Sequence, residues 1–381
     1  MRRHYFDHNA TTPLDARVLA AMRPALEEVF GNASSIHSFG QDAKRLTENA
    51  RRQIAALFRA DAKAVVLTGG GSEADNLAIV GAAGKARHVI TSSIEHPAVL
   101  ASCRRLEGRG AALTIVPVGA SGVVDPDEVR AALRPDTDLI SIMAANNEIG
   151  TIQPLAEIGR IAKEAGALFH TDAVQAAGKI PIDPAAWQAD LIAVTAHKFY
   201  GPKGTGALYV RNGLDVEPLI VGGGQERGRR AGTENVAGIV GLGAAAELAL
   251  SDRETESKRL GGLRDSLERS ILDRIPDVWV NAQESPRTPN TASIGFEGVE
   301  GEPLVIALDL KGFAVSAGSA CSSGAVEPSH VLTAIGLPKR RAKSCIRFSL
   351  GRQTTQESVD ALVDALEAVV ARLRSLAPVS A

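Results

Sequence analysis

From residue 64 onward, short runs of β-branched and apolar residues alternate with stretches whose apolar positions recur at helical spacing. The runs AVVLT, HVITS, ALTIVPV, DLISIMAA, ALFHTDA and DLIAVTAHK start about 20 to 35 residues apart, far enough for a crossover helix between each pair. Helices are predicted at Ser72 to Gly84, Pro97 to Gly108, Pro126 to Leu133 and Pro154 to Gly166, three of them opened by proline near the first helical position and two closed by glycine. Alternation of this kind implies a mainly parallel sheet with helices on both faces, an α/β fold. After Gly232 the pattern changes to a long amphipathic stretch, Asn235 to Leu272, then short strands and a final helix from Thr355 to Leu373. A separate α+β domain is expected there, with its boundary near residue 250.

Composition narrows the functions without naming one. The chain has 381 residues, 45% hydrophobic, with 42 basic and 44 acidic side chains well mixed. There is no basic stripe for nucleic acid, no polybasic anchor and no run of about 18 apolar residues, so neither nucleic acid nor membrane is an expected partner. The start carries arginines but no apolar core behind them, and the protein reads as cytoplasmic. Cys103, Cys321 and Cys345 have no paired spacing, which argues against a disulfide framework and a structural zinc site. No resident metal is expected.

Ligands of open α/β sheets sit at the carboxyl ends of the strands, and several of those ends are polar here. ALFHTDA ends near Asp172, DLIAVTAHK ends in Thr195, His197 and Lys198, DLISIMAANNE carries Asn146 and Asn147, and HVITSSIEH leads to His96. A lysine that closes an apolar strand loses its proton readily and becomes a nucleophile for an aldehyde. A buried aspartate such as Asp172 can hold a positive ring nitrogen. Together they suit pyridoxal-phosphate chemistry, although the same two residues would equally make an ion pair at a strand end. TGGGSE supplies a glycine-rich turn before a helix, where Gly71 and Ser72 can present N–H groups to a phosphate; with Thr195 and His197 it makes a three-sided cup. Cys321 lies in GSACSSGAVEPS, small and hydroxylated residues that favour an accessible loop, whereas Cys103 and Cys345 read as packing residues.

At this point the chain resembles the cysteine desulfurases of the NifS/IscS type, in the class V aminotransferase group of pyridoxal-phosphate enzymes. The resemblance runs nearly end to end through DHNATTP, FGNASSIHSFG, TGGGSEADNLAI, EHPAVL, NNEIGTIQP, HTDAVQAAGKIPID, AHKFYGPKGTGALYV, GGGQERGRRAGTEN, SAGSACSSGAVEPSHVL and CIRFSLGR. It implies the pyridoxal-phosphate transferase type I fold: a large domain (14–250) with a mainly parallel seven-stranded sheet, and a smaller α+β domain (1–13 and 251–381) carrying the cysteine loop.

The resemblance also implies roles. Lys198 matches the lysine that carries the cofactor, Asp172 the partner of the pyridine nitrogen, and His96 the imidazole over the ring. Gln175 matches the glutamine at the cofactor's phenolic oxygen, and Asn147 the asparagine near cofactor and substrate. Gly71, Ser72, Thr195 and His197 match the phosphate contacts, and Thr233 the residue that completes this site from the other subunit of a dimer. Arg347 matches the arginine that binds the substrate carboxylate. Cys321 is the residue that would receive sulfur from L-cysteine as a persulfide, leaving L-alanine, and hand it to an acceptor or iron–sulfur scaffold protein. The chain stops at Ala381, soon after LRSLAP, without the longer tail of scaffold-binding relatives, so the acceptor stays open.

Overall fold

A computed structural model describes residues 3–317 and 327–376; Cys321 and its neighbours 318–326 lie outside the described residues. In chain order the first strands are β1 (His4–Tyr5), β2 (Val65–Thr68), β3 (His88–Ser92), β4 (Ala112–Val116), β5 (Thr137–Ser141), β6 (Leu168–Asp172), β7 (Leu191–Thr195) and β8 (Gly206–Val210). All but β1 form one seven-stranded sheet ordered β2-β8-β7-β6-β5-β3-β4. Only β8 runs against its neighbours, pairing antiparallel with both β2 and β7. The expected mainly parallel, seven-stranded α/β sheet is therefore present. Buried apolar side chains such as Ile90, Ile140, Phe169, Ile192 and Val194 fix its strands between helices.

The predicted helices start where their caps are. Asp125 caps the helix Pro126–Ala131 through Asp127 N–H, and Gly166 ends the helix Leu155–Ala165 in the left-handed region at φ 70°. The stretch predicted as one helix from Ser72 to Gly84 instead splits into an α-helix, Gly71–Asn76, and a π-helical turn, Leu77–Ala82. There the Gly81 carbonyl accepts from Glu217 N–H, a partner outside the helix that the wider turn accommodates. Strand β8 and the helices Ala16–Glu27 and Ser38–Leu57 complete the layers without having been anticipated.

The remaining strands are β9 (Val278–Val280), β10 (Thr291–Phe296), β11 (Phe313–Ala314), β12 (Ser316–Ala317) and β13 (Cys345–Ser349). Strands β12, β13, β10 and β9 form a four-stranded antiparallel sheet, while β1 pairs with β11. One helix, Val236–Arg274, joins the two parts: Ile239, Leu242 and Ala246 enter the core of the large sheet, and Leu260, Leu267 and Ile271 enter a second core with Phe296, Phe348 and Leu366. Among the described residues no helix is long and apolar enough to cross a membrane.

Candidate active site

The carboxyl ends of β2, β6 and β7 and the chain beyond β3 and β5 open onto one cavity of about 290 Å³. Its wall gathers Gly71, Ser72, His96, Asn147, Asp172, Gln175, Thr195, His197, Lys198 and Arg347. All of these but Arg347 converge because each sits at or shortly past the carboxyl end of a strand of the large sheet, where ligands of such sheets bind. Thr233 is exposed and lies outside this wall, and Cys321 is outside the described residues.

Lys198 leaves β7 through a single 3-10 turn, Ala196–Lys198, which aims it across the pocket. Its Nζ donates to the carbonyls of Asn9 (2.6 Å) and Ala10 (2.8 Å). Burial and then the Arg347 charge lower its pKa to about 8, so a useful fraction is a free amine near neutral pH. Asp172 is 5% exposed, and one of its oxygens accepts from Val174 N–H at 2.8 Å. Burial raises its pKa, while His96 and Lys198 oppose the rise. A cation placed against it would hold it ionised.

His96 has two jobs. It caps the helix Pro97–Glu107, with Nδ1 accepting from Ala98 N–H at 3.1 Å, and it keeps its place in the pocket wall. The cap leaves the proton of the neutral ring on Nε2. Burial lowers its pKa, with Asp172 opposing.

Thr195 donates its hydroxyl to Thr205 carbonyl at 3.0 Å, and His197 Nδ1 meets Thr11 Oγ1 at 3.1 Å. Gly71 opens the adjoining helix in a tight place: an added Cβ would lie 3.0 Å from the Val174 side chain, which would have to shift, and 3.5 Å from Thr195. The first N–H groups of a helix lack intrahelical partners, so this corner suits an anion. Arg230 reaches Glu73 at 2.9 Å, and Arg51 forks onto Glu226, which also accepts from Leu67 N–H. The segment 226–230 is thereby tied beside the same corner.

Arg347, on β13, reaches in from the small sheet. It donates to Asp7 (2.7 Å) and to Asn147 carbonyl (3.2 Å), while its buried Nε has no partner among the described residues. That unused donor fits a ligand carboxylate.

Several polar residues of the site carried no role at the sequence level. Asn9 is the hub: its carbonyl accepts from Lys198 and Gln175, and its amide donates to Asn147 carbonyl and Thr291. Asp75 is 1% exposed and lines the pocket beside Asp172, with Oδ1 3.6 Å from His170 Nε2. Burial, Asp172 and Glu95 together raise its pKa, favouring the protonated acid. Glu95 is likewise pushed up to about 8, chiefly by burial. Asn9 and Asp75 lie inside DHNATTP and TGGGSEADNLAI, so position within these motifs was the only signal available.

The residues fit pyridoxal phosphate on chemistry alone: an amine of lowered pKa, a buried carboxylate, an anion-tolerant helix start and a spare arginine donor share one cavity. Cys103 and Cys345 agree with their expected placement as packing residues: both are buried, and burial pushes their thiols up to about 12 and about 11.

The aminotransferase class-V family matches residues 4–362. Cysteine desulfurase IscS of Dictyoglomus turgidum is 50% identical, covering 99% of this chain and 97% of that protein; cysteine desulfurase 1 of Trichormus variabilis is 49% identical over 98% and 94%. Among solved structures, a NifS-like protein superimposes with a TM-score of 0.91 at 38% identity, covering 97% of this chain and all of that one. SspA in complex with cysteine gives 0.81 at 38% identity, over 91% and 98%. The chain belongs to the class-V aminotransferase family, among its cysteine desulfurases.

Proposed function

We propose that this protein is a pyridoxal-phosphate-dependent cysteine desulfurase that converts L-cysteine to L-alanine and passes the sulfur, as a persulfide on Cys321, to an acceptor protein. The observation that carries the reading is the meeting of Lys198, Asp172 and Arg347 in one cavity. Bound there, the cofactor supplies an aldehyde that captures amines and a protonated ring that draws electron density from the substrate's Cα.

In this reading Lys198 and Asp172 hold the cofactor at its two ends, and Gly71, Ser72, Thr195 and His197 hold its phosphate, with Thr233 of a second copy. Gln175 and Asn147 fix the ring edge, and His96 covers its face. Arg347 orients the substrate carboxylate, and Lys198 Nζ, with its pKa near 8, can take the Cα proton. Cys321, as thiolate, attacks the substrate's sulfur. The C–S bond breaks, the carbon keeps the electron pair and gains a proton, and sulfur stays on Cys321. Support comes from the described flanks of its segment. Ser316 and Ala317 pair with Arg347 and Ile346, and Ser329 donates to Glu148, the neighbour of Asn147.

A homodimer is part of the proposal. Leu26, Phe30, Ile36 and Phe39 are 56% exposed or more within one short segment, and a second copy would cover them. Iron–sulfur scaffold proteins are the proposed acceptors, and free buried thiols suit a reducing cytoplasm. The division at residues 14 and 250 is supported by the two cores that the helix Val236–Arg274 enters.

The test is C321A. Loaded with cofactor and given L-cysteine, it should keep the near-visible absorbance of the wild type and form no protein-bound persulfide detectable by mass. Persulfide at wild-type level would remove Cys321 from this role.

A further inference from the structure

A lysine behind the cavity sets the direction of one of its amides. Gln175 is 4% exposed and faces the candidate pocket. Its Oε1 accepts from Lys179 Nζ at 2.9 Å, its backbone carbonyl accepts from the same nitrogen at 3.2 Å, and its Nε2 donates to Asn9 carbonyl at 3.0 Å. Lys179 lines a second, small cavity behind the pocket together with His8, Lys198, Asp252 and Glu256. We infer that Lys179 is a positioning residue that locks the Gln175 amide with its nitrogen, not its oxygen, available to the cofactor.

The reason is the pattern of donors and acceptors. An amide rotated by half a turn keeps its shape, so only its neighbours decide which end is which. A lysine ammonium has no acceptor and a carbonyl no donor. Rotating Gln175 would set N–H against N–H at Lys179 and oxygen against oxygen at Asn9, losing both bonds and burying two like pairs. Burial lowers the Lys179 pKa to about 7. The free amine keeps two N–H groups but gains a lone pair, so at this end the lock is firmest in the ammonium form, while the Asn9 carbonyl accepts from Nε2 in either form. One N–H of Gln175 remains for the pocket.

The inference rests on the proposed reading that Gln175 faces the cofactor's phenolic oxygen. A donor to that oxygen stabilises its anion and lowers the pKa at which the near-visible band of loaded, substrate-free enzyme titrates. The measurement is an absorbance titration of wild type, Q175A, K179M and K179M/Q175A, without substrate. Q175A and K179M are each expected to raise the apparent pKa by about one unit, and the double variant by no more than Q175A alone. K179R should restore the wild-type value.

A loss of stability alone would lower yield without moving the band. A purely electrostatic role would make the two shifts add in full, and that result overturns the inference. So does a wild-type value for K179M beside a shifted Q175A, which leaves the Gln175 assignment standing. An unshifted Q175A would instead sink the Gln175 assignment itself and the inference with it. Should K179M fail to fold, K179Q carries the test: a neutral amide offers both donor and acceptor, so the lock is lost and the same upward shift is expected.

Discussion

The two ends of the central sheet treat charge in opposite ways. At the amino ends of its strands, charged side chains find partners near the surface: Arg87 meets Asp138 at 2.9 Å, Arg134 meets Asp136 at 2.9 Å, and Arg211 pairs with Asp190. At the carboxyl ends, charged and polar groups are buried and left with capacity to spare. Asp75 Oδ1, Glu95 Oε2 and His170 Nε2 lack a hydrogen-bond partner among the described residues, as does Nε of Arg347, which reaches that end from β13 of the small sheet. Pairs of the first kind contribute about 0 to 1 kcal/mol each and could serve any fold. Buried groups without partners cost stability, and a fold keeps them where a ligand completes them. The difference therefore points to function at the carboxyl end.

The comparison breaks most visibly at Arg347. Replacing it with alanine removes the spare donor and leaves Asp7 without its guanidinium, so kcat/KM for L-cysteine should fall by about 10- to 100-fold, with KM carrying much of the loss. Lysine at this position should restore little of it, since a point charge cannot fork onto a carboxylate. Steady-state kinetics of R347A and R347K decide this, and unchanged KM values in both would detach Arg347 from substrate.

A smaller effect concerns Lys198 and pH. Its pKa is lowered, so the amine that reacts with an aldehyde is present above about 8 and protonated below it. Capture of pyridoxal phosphate by cofactor-free protein should accelerate by roughly tenfold per pH unit below that point and level off above it. Because the Arg347 charge is one cause of the lowering, R347A should move the break to higher pH. A stopped-flow profile flat from pH 6 to 9 would contradict the assigned amine.

The smallest effect is expected at the other end. R211A breaks a pair in which the arginine is more than half exposed. It should cost under about 1 kcal/mol in denaturant unfolding and leave turnover unchanged. A large catalytic defect there would erase the distinction between the two ends.

How much of this was legible depended on whether the signal was local. The parallel strands were readable because each is a short β-branched run, and Lys198, Asp172 and His96 because each follows one. Strand β8 was missed since GALYV sits in a glycine-rich stretch, and the π-helical turn at Leu77–Ala82 because the outside donor that its Gly81 carbonyl accepts from, Glu217 N–H, is remote in sequence. The amphipathic stretch from Asn235 was visible, but periodicity could not reveal that one helix changes cores midway. Asn9 and Asp75 were inside quoted motifs yet unassigned, for their importance lies in partners brought from distant parts of the chain; Lys179 was unassigned because its nearby partner, Gln175, matters only through the cavity it faces.

The central claim is that the carboxyl-end cavity is a pyridoxal-phosphate site turning L-cysteine into alanine and transferable sulfur. The most direct measurement is the absorbance of purified protein before and after L-cysteine, with alanine and sulfide assayed under reductant. A near-visible band that shifts with cysteine, alongside equal amounts of alanine and sulfide, is the predicted result. A colourless protein that stays inert after pyridoxal phosphate is added would contradict it, leaving the fold without the chemistry assigned to it.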